Sequence, residues 1–230
     1  MQFYFIRGEI MTYEEARSYL DYINKNGIIL GLESMEHLLE ELGNPQDQLK
    51  FIHIAGTNGK GSVLAYLSTI LKEAGYRVGR YISPTLFSYR ERIQINEEYI
   101  SREAVSSNVE KIKQAIERMQ KKSMSVPTIF EVETAMAFLY FADQKCDIVV
   151  LETGMGGDTD ATNVIRTTVM EIIVSISLDH TAFLGNTLAE IAEHKAGIIK
   201  PGTVVVSAQQ EPEAMKVIEE KARSCGAVLK

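Results

Sequence analysis

Along most of the chain, apolar residues fall either at helical spacing or in short unbroken runs, and the two patterns alternate. Thr12-Tyr-Glu-Glu15 has capping-box spacing, and Tyr13, Ala16, Leu20 and Ile23 then follow one helical face. A loop over 27–32 with an apolar middle leads to a second helix expected near 33–42, stopped by Gly43 and turned by Asn44-Pro45. Phe51-Ile-His-Ile54 reads as a buried strand. From Ser62 onward, Leu64, Leu67 and Leu71 line one face of the next helix, which Gly75 stops. Residues 76–82 read as a strand ended by Ser83-Pro84, and the stretch from there to about Ile100 reads as a long irregular loop, of a kind that is usually functional or mobile. Val105, Val109, Ile112, Ile116 and Met119 mark the inner face of a helix over 102–120, and another is expected near 131–143. Strands over 146–151, 171–177, 204–206 and 227–229 frame helices over 187–195 and 212–224. Apolar strands alternating with helices predict an α/β fold: a mainly parallel sheet flanked by helices.

Composition narrows the setting. With 230 residues, 45% of them hydrophobic, the chain can bury a substantial core as one large domain over 11–230, preceded by an extension at 1–10; Met11 is an alternative first residue. A net charge of −7 argues against a nucleic-acid or anionic-membrane partner, since either needs a basic face. Cys146 and Cys225 stand far apart without metal-ligand spacing and read as free thiols. No apolar run approaches the roughly 20 residues of a membrane span, and the N-terminus has no long apolar signal core. The expectation is a cytoplasmic protein.

The chemistry concentrates after the first apolar strand. In Gly56-Thr-Asn-Gly-Lys-Gly-Ser62, glycines let main-chain N–H groups point inward, and the helix start adds partial positive charge. Such a turn is a phosphate cradle, in which Lys60 reaches the outer phosphates and the Ser62 hydroxyl sits on Mg²⁺. Two positions depart from the usual pattern: Ile54 stands where the first glycine belongs, and Gly61 separates the lysine from the hydroxyl.

Ligands of open parallel sheets bind beyond the carboxyl ends of the strands. The cradle, Ser83, Glu152 and His180 each sit just past the end of a different expected strand, so one topology gathers all of them on one rim. Singly, each has a plainer reading, as a cap, a loop carboxylate or a turn residue. Lys195 adds a second clue: after the Thr187 cap, Leu188, Ile191, Ala192 and Lys195 fall on the buried stripe. Either the lysine snorkels from the stripe's edge, or desolvation favours its neutral amine, which can take up CO₂ as a carbamate suited to Mg²⁺.

Ala55-Gly-Thr-Asn-Gly-Lys-Gly-Ser62, Ser83-Pro84, Glu91-Arg-Ile93, Asp160-Ala-Thr-Asn-Val164, Leu178-Asp-His-Thr181 and Lys195-Ala-Gly-Ile-Ile-Lys-Pro-Gly202 together resemble the folylpolyglutamate synthase / dihydrofolate synthase family of Mur-type amide ligases. The resemblance runs from about Met11 to the last residue. It implies the Mur ligase central-domain fold and an ATP- and Mg²⁺-dependent ligase joining a pteroate or folate carboxyl (dihydropteroate or a reduced folate) to L-glutamate. By the same resemblance, Thr57, Asn58, Gly59, Lys60, Gly61 and Ser62 hold ATP. Ser62, Ser83, Glu152, His180 and carbamylated Lys195 serve the metal, with Lys60, His180 and Lys195 as catalytic groups. Thr128, Ile129, Phe130, Glu131, Thr159, Asp160 and Ala161 face the pterin, with Gly31 and Leu32 as further candidates. Three departures stand out: Asp158 replaces the family's arginine in Gly-Gly-Arg-Leu-Asp, Thr85 replaces a histidine after Ser-Pro, and the family's C-terminal domain is expected to be absent or encoded as a separate half. The competing expectations are an inactive nucleotide- or folate-binding module and a Mur-type ligase of peptidoglycan synthesis.

Overall fold

The computed structural model describes residues 11–24, 27 and 31–230. The expected extension at 1–10 and the apolar middle of the 27–32 loop fall on positions outside the described residues.

The capping box at Thr12 forms as the spacing predicts and starts α1 (Tyr13–Ile23), which buries Ala16, Leu20 and Ile23. After α2 (Glu33–Glu41), the strand β1 (Phe51–Ala55) is buried at every position. The helix that follows, α3 (Lys60–Glu73), starts at the lysine itself, two residues earlier than the apolar period indicates, because Gly59 at φ 92° acts as its N-cap.

Next comes β2 (Val78–Tyr81), and here the expectation of a long irregular stretch fails. A 3₁₀ turn over Tyr89–Arg92 leads into β3 (Ile93–Ile95) and β4 (Glu98–Tyr99), an antiparallel hairpin added to the sheet edge. The chain continues through α4 (Arg102–Lys121), α5 (Ile129–Asp143) and β5 (Ile148–Glu152), so Glu152 ends a strand rather than following one. The strand β6 (Thr168–Ile173) lies earlier than the expected 171–177. The remaining elements are the short α6 (Thr181–Leu184), α7 (Leu188–Ala196), β7 (Val204–Ser207), α8 (Pro212–Ser224) and β8 (Val228–Leu229).

Among the described residues the sheet has eight strands in the order β4-β3-β2-β5-β1-β6-β7-β8, parallel from β2 through β8. The alternation of side chains assigns each face its own core. Ile52, Ile54, Val78, Val150 and Ile172 pack under α3 through Leu64. On the opposite face Phe51, Tyr81, Val149 and Leu151 meet α5, which is buried nearly all round because α2 and α4 cover its back. Phe138 of α5 meets Phe51 edge-on with ring centroids 5.4 Å apart. Farther along that face, Ile173 and Val205 pack on α7 and α8. This two-sided covering explains the near-continuous apolar strands. No helix among the described residues is long and apolar enough to cross a membrane.

Candidate functional site

Parallel pairing puts the carboxyl ends of β1, β2, β5 and β6 on one rim, and the chain after each of them meets there. The glycine-rich turn after β1 is clasped by the segment after β6. Thr57 N donates to Ser175 O at 2.8 Å, and Thr57 Oγ1 exchanges hydrogen bonds with Ser177 O and Ser177 N, both at 3.1 Å. Gly56 stands at φ 147°, and a Cβ there would lie 2.2 Å from Val174 Cγ2, so no other residue fits the turn against that segment.

Lys60 folds back over the turn, donating to Gly56 O at 3.2 Å and Thr57 O at 3.3 Å, with Glu152 Oε1 4.0 Å away. Glu152 is buried and also accepts from Ser83 N at 3.4 Å. Burial pushes its carboxyl up, and Lys60 pulls it back. Lys195 arrives from α7, 2% exposed, and donates to the same Gly56 oxygen at 2.9 Å. Burial, and then the neighbouring Lys60 charge, lower its ammonium to about 8. Two lysines from different elements therefore converge on one carbonyl of the turn, and the desolvation reading of Lys195 holds over the snorkelling one.

A cleft of about 570 Å³ opens beside them, lined by Lys60, Ser83, Pro84 and His180 together with Thr128, Ile129, Phe130, Glu131, Thr159, Asp160, Ala161 and Gly31. His180 starts α6 in the left-handed region at φ 47°. Ser62, Glu152 and Lys195 do not line this cleft but join it through the turn: Ser62 by the first turn of α3, the other two by contacts with Lys60 and Gly56. Leu32 turns elsewhere, to a separate cavity with Arg166 and Lys200.

Two of the expected substrate residues have their polar atoms engaged. Asp160 Oδ2 accepts from Gly154 N at 2.9 Å and Met155 N at 2.8 Å, while Oδ1 accepts from Thr162 N at 3.0 Å and Thr162 Oγ1 at 2.5 Å. Glu131 closes the capping box of α5 on Thr128 and accepts from Ser34 Oγ at 2.9 Å. Both carboxylates shape the walls. Asp158 does not reach the cleft: its Oδ1 lies 2.9 Å from His194 Nδ1, and both side chains are more than a third exposed, so the reversed charge is screened and partnered.

Sequence reasoning missed Arg92 as a site residue, although it lies in one of the recognised motifs. Its guanidinium lines the cleft with Nε 3.2 Å from the buried Glu133. Only the fold of the 83–100 stretch brings it there. Gly157 sets the seating of α7: a Cβ at this position would lie 2.5 Å from His194 O and 3.0 Å from Lys195 O. Gly157→Ala should therefore displace the helix that carries Lys195 and cost about 1–3 kcal/mol, read as a lowered midpoint in thermal unfolding.

The profile of the family described as Mur ligase middle domain matches residues 54–229. A dihydrofolate synthase/folylpolyglutamate synthase from Bacillus subtilis is 44% identical over 212 residues, covering 92% of this chain and 49% of its own length. A folylpolyglutamate synthase structure from Thermotoga maritima superposes with a TM-score of 0.85 at 43% identity, covering 95% of this chain and 50% of that one. A structure described as an FPGS–AMPPCP–folate complex superposes with a TM-score of 0.88 at 39% identity, covering 95% and 53%. The chain spans about half the length of the curated relatives it matches.

Proposed function

The chain belongs to the family of Mur ligase middle domains, and we propose from that premise that it is the ATP-handling part of a ligase joining L-glutamate to the carboxyl of a pteroate or folate. The observation that carries the reading is the shared cleft: the lysine of a phosphate turn, Ser83 and His180 line the same space as Thr128–Glu131 and Thr159–Ala161. The complex of the similar synthase with an ATP analogue and folate gives the two ligand chemistries to expect there.

In this reading Thr57 anchors the turn through Ser175 and Ser177, the main-chain N–H groups of Asn58–Ser62 at the start of α3 hold the triphosphate, and Lys60 leaves the loop carbonyls to meet its outer oxygens. The substrate carboxylate attacks the γ-phosphorus, ADP leaves, and an acyl phosphate results. Glutamate's amine then adds to the acyl carbon, and phosphate departs as the amide forms. The protein's contribution is positioning and the neutralisation of converging negative charge.

The donor set also fits Mg²⁺. Ser62 and Ser83 bring hydroxyls, Glu152 a buried carboxylate, and His180 an imidazole. Among the described residues no three acidic, His or Cys side chains meet as a cluster. When bound, the ion would neutralise phosphate charge. Lys195, its ammonium lowered to about 8, gives up its proton more readily than an exposed lysine; the neutral amine's nitrogen then bonds the carbon of CO₂, a second proton leaves to solvent, and the resulting carboxylate would suit the cation.

The test is ADP formation from ATP with Mg²⁺, dihydropteroate or a reduced folate, and L-glutamate, with and without the C-terminal half of the Bacillus subtilis relative. Turnover that needs both the pterin and glutamate is the expected result. Tight AMPPCP and folate binding without turnover in either condition would favour a binding module, a reading that the half-length match keeps in view. Absence of both binding and turnover would overturn the assignment.

A further inference from the structure

The strand that delivers the phosphate turn also carries a buried imidazole that the reaction does not use. His53, at the centre of β1, is fully buried between its neighbours Leu151 of β5 and Glu171 of β6. Its Nε2 lies 2.8 Å from Thr162 Oγ1, which lies 2.5 Å from Asp160 Oδ1. The proton directions follow from counting donors. Burial pushes the Asp160 carboxyl up, while hydrogen bonds from the Thr162 hydroxyl and from the N–H groups of Met155, Thr162 and Gly154, which can only donate, favour the ionised form, and we assign its carboxylate as the acceptor. Thr162 has one hydroxyl proton and gives it to Asp160. His53 must then donate from Nε2, which leaves Nδ1 a bare nitrogen, and that atom has no hydrogen-bond partner in the structure.

A neutral ring with one unpaired nitrogen is a costly side chain for a core position that an aliphatic group could fill. Burial and the positive charge of Lys200 hold the imidazole at about 3, so it stays neutral at working pH and the donor direction does not change. What the donor secures lies at the other end of the chain of bonds. The second Asp160 oxygen fixes the amides of Gly154 and Met155, two walls of the cleft, and Gly154 packs so closely on Phe130 that a Cβ there would lie 2.5 Å from Phe130 Cζ.

We propose that His53 is a positioning residue for the flat heteroaromatic ring of the substrate: through Thr162 and Asp160 it fixes the Gly154–Met155 wall and so the space beside Phe130. The inference rests on the reading of this cleft as the pterin site. It also ties the wall that meets the ring to the strand that ends in the nucleotide turn.

The experiment compares His53→Leu, Thr162→Val, the double variant and His53→Gln, whose terminal amide can still donate to Thr162. Folic acid and AMPPCP binding are measured by calorimetry, and hydrogen exchange is followed over 153–160. His53→Leu and Thr162→Val should each weaken folic acid by about tenfold and speed exchange of the turn, with no further loss in the double variant. AMPPCP affinity should stay unchanged, and His53→Gln should restore both readouts. Parallel losses of both ligands that track the unfolding midpoint, with no rescue by glutamine, would reduce His53 to a core residue and overturn the proposal. A wild-type chain that binds AMPPCP but no pteridine overturns the cleft reading and this inference with it. Folic acid binding with turn exchange indifferent to His53 overturns the inference alone.

Discussion

Lys60→Ala is expected to weaken AMPPCP binding by about 10–100-fold and to cut ATP turnover by about 10³-fold. The first figure follows from losing a charge-assisted contact to the triphosphate, and the second from losing charge stabilisation as the phosphoryl group transfers. Lys60 opens α3 at the turn itself, its ammonium resting on Gly56 O and Thr57 O with the Glu152 carboxylate 4.0 Å away. Deleting it also removes the charge that opposes the upward push of burial on Glu152, so the carboxylate becomes harder to ionise and the cation site weakens with it. Calorimetry with AMPPCP, with and without Mg²⁺, separates the two effects. Unchanged affinity and rate would refute the cradle assignment.

How far the sequence revealed this arrangement varied with the kind of signal. The parallel sheet was legible because buried strands are long apolar runs, and the helices were legible from their periods and the capping boxes at Thr12 and Thr187; the third box, at Thr128, was not read and starts α5 at Ile129, ahead of the expected 131. The hairpin of β3 and β4 was not, since strands of three and two residues carry no period. Its turn places Asn96 and Glu97 at φ 49° and 71°, a conformation that Asn-Gly would have advertised and Asn-Glu conceals. The misplaced end of β6 has a similar cause. Residues 174–177 alternate apolar side chains with serines as a strand does, but beyond the bond from Val174 N to Ala55 O their hydrogen bonds run to Thr57 and Asn58 of the glycine-rich turn and to Gln210 instead of to a neighbouring strand. That displacement is itself functional geometry, because it is what clasps the turn.

Among the site residues, the helical period was enough to bury Lys195, and the end of β2 was enough to put Ser83 on the cleft that Lys60 lines; His180 reaches the same cleft well past the end of β6, after the segment that clasps the turn. Asp160 shows the limit of motif reasoning. Its position beside the cleft was readable, but only coordinates show that all of its acceptor capacity goes to the turn 154–162. The reversed charge at Asp158 could not be judged from the sequence either, since its partner His194 lies on α7, brought alongside by the close approach of Gly157 and Gly197.

Lys195→Met should abolish turnover and, compared with wild type in the absence of CO₂ and bicarbonate, make the fold more stable at pH 7. The sign follows from the ammonium's fall from 10.5 to about 8 in the folded chain. Below 8 the folded and unfolded forms both carry the proton, and folding bears the full penalty of burying the charge, about 3 kcal/mol at 1.36 kcal/mol per unit. Between about 8 and 10.5 the folded chain has released the proton and the unfolded chain has kept it, so wild-type stability rises with pH across that window. Methionine fills similar volume without the charge, leaving Gly56 O to Lys60. The variant should therefore melt higher than wild type at pH 7, the gap should close by about pH 10.5, and the loss of the hydrogen bond at Gly56 will trim it. If the amine is held as a carbamate, removing CO₂ and bicarbonate should lower wild-type activity and leave the variant's unfolding midpoint unmoved. Lys195→Ala, which leaves room at the site, should then regain activity with a small added carboxylate. A methionine variant that melts lower at pH 7 and keeps its activity would mean that the buried ammonium is a structural anchor, and the carbamate assignment would fall.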